Sequence, residues 1–300
     1  MKRILSIDGG GLLGVIPAAL LEYIEAQTGK LCRDIFSFTA GTSTGALITA
    51  AIAAGIPASK IVDIYLKRGK DIFSPQAPWN TMKRVAKGYM YESQNLFEVL
   101  NDELGSAKDW RIDDCPIDVL ITAKRVSDGH YWYFVKNKLS NAGTTGRNKL
   151  VDCVMASAAA PTYFPPWNIY KIGDMVDGGI GIFGNPVYRA ATEAFEYDSY
   201  KPEDTSILTL GTGQYPNISN PSGLMGWLEW TVSELLGSPE GEQTELVKKI
   251  YPKASLCRID PAFDKIAAMD DPNAIAGLYS FTKAQAPLLM SGWLFQYKNM

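Results

Sequence analysis

The chain has one histidine, His130, in 300 residues. A Ser–His–Asp triad therefore has a single candidate base. That histidine lies in Ser127-Asp128-Gly129-His130-Tyr131-Trp132-Tyr133-Phe134-Val135, which reads as a turn entering a strand. In such a setting a histidine is more often a partly exposed strand residue than a general base. Cysteine is also scarce. Cys32, Cys115, Cys153 and Cys257 are widely spread and show no C-x-x-C spacing. Neither a metal site nor a disulfide framework is expected, and free thiols in a reducing compartment follow. No run of eighteen uninterrupted apolar residues exists, so no transmembrane helix is expected. Positive charge is not in excess: 29 Lys and Arg stand against 32 Asp and Glu, a net −3, which argues against a nucleic-acid polymer as partner. Internal repeats and low-complexity tracts are absent, and no stretch reads as a convincing linker.

What is present is glycine in three informative places. Gly41-Thr42-Ser43-Thr44-Gly45 is a G-x-S-x-G pattern between an apolar run and a small-residue helix. Such a pentapeptide forms a nucleophile elbow, in which glycines let strand and helix approach while the serine hydroxyl is lifted clear of the sheet. The same residues also make ordinary turns. Asp8-Gly9-Gly10-Gly11-Leu12-Leu13-Gly14 follows the apolar run Ile4-Leu5-Ser6-Ile7. Consecutive glycines there expose backbone N–H groups at a helix N-terminus, where a phosphate or a developing oxyanion is held. Gly9-x-Gly11-x-x-Gly14 is also a literal dinucleotide fingerprint, but that fold wants an acidic residue about twenty residues on, at the end of a second strand. Here Glu25 falls inside a helix, against a dinucleotide site. The third place is Asp177-Gly178-Gly179, a strand end running into a common turn signal. α/β-Hydrolases place their histidine last in chain order. No histidine follows Asp177, so the elbow needs a base other than histidine.

Strands and helices alternate along the chain. Strands are predicted at Arg3–Ile7, Phe36–Ala40, Ile117–Ala123, Tyr131–Val135 and Ile207–Leu210. Helices are predicted at Val15–Gln27, Gly45–Ala54, Ala58–Lys67 and Arg147–Ala160, the last ended by Pro161. The alternation implies an α/β fold, a three-layer α/β/α sandwich around a mostly parallel central sheet. With 46% apolar and 20% charged residues, residues 1–300 form one large domain. Its catalytic core spans about 1–215, and a C-terminal helical layer of unassigned role follows from the loop at Pro216–Gly223. The N-terminus imitates a signal peptide, with Lys2 and Arg3 before an apolar stretch. Asp8 and the glycines interrupt that stretch, which reads instead as strand, loop and helix of the mature protein.

On these segments the chain resembles the patatin-like phospholipase family. The family's order is a glycine-rich oxyanion loop (here Asp8 to Gly14), G-x-S-x-G (Gly41 to Gly45), then D-G-G or D-G-A (Asp177 to Gly179). Ala156-Ser157-Ala158-Ala159-Ala160-Pro161-Thr162-Tyr163-Phe164 is similar to the family's A-S-x-A-A-P-x-x-F block, and Ile207 to Gly213 to its late S-L-G-T-G strand. The resemblance covers about residues 1–215. It departs at Leu13, where family members usually carry Arg or Lys. The resemblance implies a Ser–Asp dyad: Ser43 is the nucleophile, Asp177 the base, and the N–H groups of Gly9, Gly10 and Gly11 the oxyanion donors, without metal or other cofactor. A carboxylate is a weak base beside imidazole, so Asp177 must lie within reach of Ser43 and be partly desolvated.

The implied activity is hydrolysis of the carboxylic ester bonds of phospholipids or lysophospholipids. A neutral-ester hydrolase or an acyltransferase would use the same site, and a storage or binding protein is the non-enzyme alternative. Some bacterial relatives act as membrane-degrading antiphage effectors switched on by a cyclic nucleotide, and residues 216–300 are a candidate seat for such an activator or for an oligomer interface. A cytoplasmic enzyme with peripheral membrane contact is expected. Residues 60–90 (Lys60, Lys67, Arg68, Lys70, Lys83, Arg84 and Lys87, with Trp79, Met82, Val85, Tyr89 and Met90) mix cations with apolar bulk as an anionic membrane surface requires. Leu224–Leu236 reads as an interfacial helix or lid. For both segments the simpler reading, a surface helix with one buried face, is the slightly favoured one. Ser6, Asp152, Ser157 and Asp174 are expected to be structural.

Overall fold

The structure, a computed structural model, describes residues 1–73, 88–138, 144–215, 222–223, 240–265 and 267–299. Trp79, Met82, Lys83, Arg84, Val85, Lys87, the loop at 216–221 and the whole of Leu224–Leu236 lie outside the described residues.

The N-terminal apolar run forms β1 (Lys2–Ile7), which the glycine loop joins to α1 (Val15–Thr28). A one-turn helix α2 (Cys32–Ile35) leads into β2 (Phe38–Gly41), then α3 (Thr44–Ala54) and α4 (Ala58–Ile72). After α5 (Ser93–Leu104) comes the hairpin of β3 (Asp118–Arg125) and β4 (Tyr131–Val135). Next are α6 (Leu150–Ser157), β5 (Trp167–Ile169), β6 (Gly173–Asp177), α7 (Val187–Thr192) and β7 (Thr205–Leu210). The C-terminal part supplies α8 (Glu240–Ile250), β8 (Ser255–Ile259), α9 (Ile275–Leu289) and α10 (Ser291–Asn299).

Among the described residues eight strands make one sheet. Its spine, β3-β2-β1-β7-β8, is parallel throughout, while β4, β5 and β6 are antiparallel additions. Side chains alternate across a strand, and β1 shows the consequence. Leu5 and Ile7 enter the larger core under α1, α3 and α4, whereas Ile4 enters the smaller one with Val187 and Ala190 of α7 and Val247 of α8. The fold is the expected three-layer α/β/α sandwich. Helix α3 is buried along nearly its whole length, which explains its run of alanines and isoleucines without a polar face.

Three boundaries differ from the sequence reading. β2 starts at Phe38, because the Phe36 N–H turns back to the Cys32 carbonyl and closes α2. The helix expected over 147–160 is shorter, Leu150–Ser157. Pro161 disfavours helical geometry at the residue before it, and the freed Ala159 carbonyl accepts the Asp177 N–H at 3.0 Å. Finally, residues beyond 215 are not only helical: β8 pairs with β7 and extends the sheet.

Register on β3 matters most for the site. One edge of β3 carries β4 over Leu120–Lys124. The other edge is shared: β2 occupies it up to the pair Gly41↔Ile121, and β6, running the opposite way, occupies it from Ala123↔Asp177. The two strands end head to head, opposite Thr122.

Candidate active site

That meeting of strand ends brings Ser43 and Asp177 together. Two residues past the end of β2, Ser43 has φ 55° and ψ −119°, a conformation that L-residues rarely adopt. Its neighbours hold it there. The Ser43 N–H donates to Ser157 Oγ at 2.8 Å, and Thr42 Oγ1 is bonded to Thr122 Oγ1 at 2.6 Å and donates to the Phe183 carbonyl at 2.7 Å. The flanking glycines are sterically required. A Cβ on Gly41 would strike the Gly45 carbonyl, and one on Gly45 would strike the Ile7 carbonyl, so β1, β2 and α3 converge only because both lack it.

Asp177 ends β6 and is 1% exposed. Its Oδ1 accepts the Gly179 N–H at 2.8 Å. Burial pushes its pKa up to about 6, against the Ser43 hydroxyl and the Gly179 N–H, which pull it down. The hydroxyl acts without closing a hydrogen bond of ordinary geometry, since Oδ2 accepts none. A buried carboxylate with a free lone pair and a proton affinity near neutrality is suited to take a proton from a neighbouring alcohol.

Ser43 and Asp177 line one cavity with Gly9, Gly10 and Gly11. The three glycines are not equivalent. The Gly9 N–H already donates to the Gly184 carbonyl at 2.9 Å, so it is not available to a substrate. The N–H groups of Gly10 and Gly11 meet no acceptor among the described residues and remain the loop's donors. A further donor escaped the sequence reading. The Thr44 N–H is the first of α3 and has no acceptor among the described residues, and Thr44 lines the same cavity. The signal for it was in the motif, because an elbow places the amide after the nucleophile at a helix N-terminus. Thr44 Oγ1 is bonded to the buried Tyr65 hydroxyl, whose pKa burial drives above its ordinary value. Ser157 is also more than generic support, since it fixes the amide of Ser43. Ser6, Asp152 and Asp174 keep structural roles, bonded to Asn185, Trp167 and Asn168.

The remaining wall is apolar: Leu12, Leu47, Ile72, Phe73, Leu96 and Phe164 face the cavity. The Phe73, Tyr91 and Phe164 rings pack edge-on and tilted at 5.2–5.9 Å, giving that wall a rigid end. The cavity therefore sets an apolar wall beside Ser43. His130 is elsewhere, 78% exposed on its hairpin with Nδ1 3.0 Å from Asp128 Oδ2. Leu13 is buried and contributes no charge. Among the described residues no group of three or more His, Cys, Asp or Glu is placed to hold a metal ion.

Several cations of the 60–90 segment are already engaged. Arg68 pairs with Asp71, Asp102 and Glu103, Lys60 with Glu103, and Lys67 with Asp63. Lys70 is exposed and has no ion pair among the described residues, so the described part of that segment is a largely ion-paired surface of α4 and α5. Among the described residues no helix is long and apolar enough to cross a membrane.

Comparison with known proteins follows the same lines. A family model described as patatin-like phospholipase matches residues 5–191. The chain is 32% identical to patatin group M-3 of Solanum tuberosum over 246 residues, 71% of this chain and 61% of that protein. It is 31% identical to patatin-17 of Solanum cardiophyllum over 245 residues, with the same coverage of 71% and 61%. The match thus spans about 61% of the length of these curated relatives. Among solved structures, VipD from Legionella pneumophila aligns with a TM-score of 0.50 at 13% identity, over 97% of this chain and 67% of that one, a likeness of fold alone. With its family blocks in order on a sandwich of this topology, the chain belongs to the patatin-like phospholipase family.

Proposed function

We propose that this protein hydrolyses the acyl ester bonds of membrane lipids, phospholipids or lysophospholipids, with Ser43 as nucleophile and Asp177 as base. The observation that carries this reading is the buried carboxylate of Asp177, its pKa raised to about 6, beside a serine in strained elbow geometry. Ser43 Oγ attacks the ester carbonyl while its proton passes to Asp177. The tetrahedral oxyanion is received by the N–H groups of Gly10 and Gly11, with Thr44 in reach as a third donor. Each such donor typically contributes about 3 kcal/mol to the transition state. Asp177 returns its proton to the leaving alcohol, then takes a proton from the water that attacks the acyl-enzyme and passes it to Ser43 Oγ as the acid is released. The apolar cleft supports an acyl chain as the group held beside Ser43.

The test is turnover of a p-nitrophenyl ester and of phosphatidylcholine and lysophosphatidylcholine vesicles, with the released products identified. Ser43→Ala and Asp177→Asn are expected to lower kcat by roughly 10³-fold or more. His130→Ala is expected to stay within about twofold, because an exposed side chain that does not line the cavity contributes little. Loss of activity in a folded His130→Ala protein would sink the dyad. A wild type that releases no fatty acid from any of these substrates would sink the hydrolase reading.

A further inference from the structure

We infer that Arg258, on β8 and outside the family-matched residues, is a positioning residue that holds the glycine loop in shape for catalysis; this rests on the reading of that loop as the oxyanion site. Asp8, the first residue of the loop, is fully buried. Its Oδ2 lies 2.7 Å from Arg258 Nη1. The guanidinium fork is fixed from behind: Nη1 donates to Thr209 Oγ1 at 3.1 Å and Nη2 to Asp260 Oδ2 at 2.9 Å. Asp260 Oδ1 in turn accepts the Gly213 N–H at 2.9 Å. The late Leu210-Gly211-Thr212-Gly213 segment closes the circuit, because Thr212 Oγ1 donates to the Gly9 carbonyl at 2.7 Å. Gly211 has no Cβ because the Asp260 carboxylate occupies that space.

The chain of contacts runs from β8 through Asp8 and Thr212 to the loop's first two residues. Its effect falls on the loop backbone. Gly9 is tied at its N–H to Gly184 and at its carbonyl to Thr212, which fixes the backbone leading into Gly10 and Gly11, two cavity-lining residues whose N–H groups meet no acceptor among the described residues. A second clamp comes from the same C-terminal region, where the Leu12 N–H donates to the Met269 carbonyl at 2.7 Å. A preorganised donor pair needs this rigidity, since a displacement of about 1 Å costs roughly 10²-fold in rate. An arginine suits the task because its planar fork satisfies two carboxylates at fixed angles, which a lysine does not.

The experiment compares the full-length wild type with Arg258→Met, Arg258→Lys and the double variant Asp8→Asn/Arg258→Met. Turnover of p-nitrophenyl butyrate is normalised to the serine titrated by a fluorophosphonate, and amide hydrogen exchange is followed over residues 8–14. Arg258→Met removes the cation facing the fully buried Asp8 and is expected to fold least well. The double variant removes both charges, so it is expected to recover stability yet keep the defect. The expected result is kcat per reactive serine down about 10- to 100-fold, KM within about threefold, Arg258→Lys intermediate, and faster exchange confined to 8–14. A double variant with wild-type kcat per reactive serine, or unchanged exchange over the loop, would overturn the proposal and leave Arg258 as a stability residue only. If the wild type hydrolyses no ester, the hydrolase reading has failed, and exchange at 8–14 still decides whether Arg258 holds the loop.

Discussion

With its carboxyl 1% exposed and its pKa raised to about 6, Asp177 stays partly protonated in mild acid, where a solvated aspartate is fully ionised. A base must be ionised to act, so kcat/KM is expected to rise with pH and level off above about 6. A pH–rate profile checks this, and a plateau already reached near pH 4 would contradict it. Stability runs the other way. The folded-state pKa lies above the unfolded one, so between about pH 4 and about pH 6 the folded state binds more protons, and its stability falls as pH rises through that window. A pKa raised from about 4 to about 6 corresponds to about 3 kcal/mol. Asp177→Asn keeps an acceptor for the Gly179 N–H but carries no charge. It is expected to raise urea stability by up to about 3 kcal/mol near pH 8 and by little near pH 4. No gain near pH 8 would show that the buried charge is compensated. At this scale the sequence was informative. Ser43 and Asp177 were named from motifs, whereas the spent N–H of Gly9 was not readable, because the carbonyl that takes it belongs to Gly184 and comes from a distant turn.

At the scale of elements, the site depends on three backbones that approach without side chains between them. Gly45, on the first turn of α3, faces the end of β1, and neither backbone has a flexible end that can yield. Gly45→Ala is therefore expected to abolish soluble folded protein. Gly29→Ala, at the αL C-cap of α1 with nothing within 4 Å, is expected to cost only about 1 kcal/mol. Soluble yield of the two variants, with thermal unfolding of whatever folds, separates a steric block from simple backbone strain, and a Gly45→Ala protein that folds with a loss no larger than that of Gly29→Ala would refute the close-packing account. Ser157→Ala leaves the Ser43 N–H without its acceptor, which is expected to cost about 1–3 kcal/mol and to lower kcat by loosening the elbow. Long parallel strands and their helices were legible because each carries a continuous apolar run or a helical period. β5 has three residues and a mixed burial pattern, so its composition gave no signal. The helix over 147–160 was overread because its apolar period continues through Ala158–Ala160, while the backbone there is claimed by β6.

At the scale of the whole molecule, the glycine loop is assembled from both ends of the chain. The sequence suggested a catalytic core to about residue 215 followed by a helical layer, since the recognisable blocks stop at Gly213. β8 was invisible because it is a five-residue edge strand whose first four residues are only half-buried. Yet it completes the parallel spine beside β7 and carries Arg258 to Asp8. Helix α9 packs on α1, and Trp293 of α10 stacks on Phe36 at 5.8 Å. Val247, Ile259, Ile275, Leu278, Met290, Trp293 and Leu294 are all buried. At about 1.5–3 kcal/mol for each large apolar side chain, their removal costs as much as the net stability of a typical domain, about 5–15 kcal/mol. A chain cut after residue 215 would also expose the edge of β7, an invitation to aggregate. Such a truncation is expected to give insoluble protein, or a soluble one with no cooperative thermal transition and no fluorophosphonate labelling of Ser43. A truncated chain that melts cooperatively and labels at the wild-type rate would show instead that residues 1–215 hold the loop by themselves. In that case the contacts of Arg258 and Met269 would be additions to a site already complete.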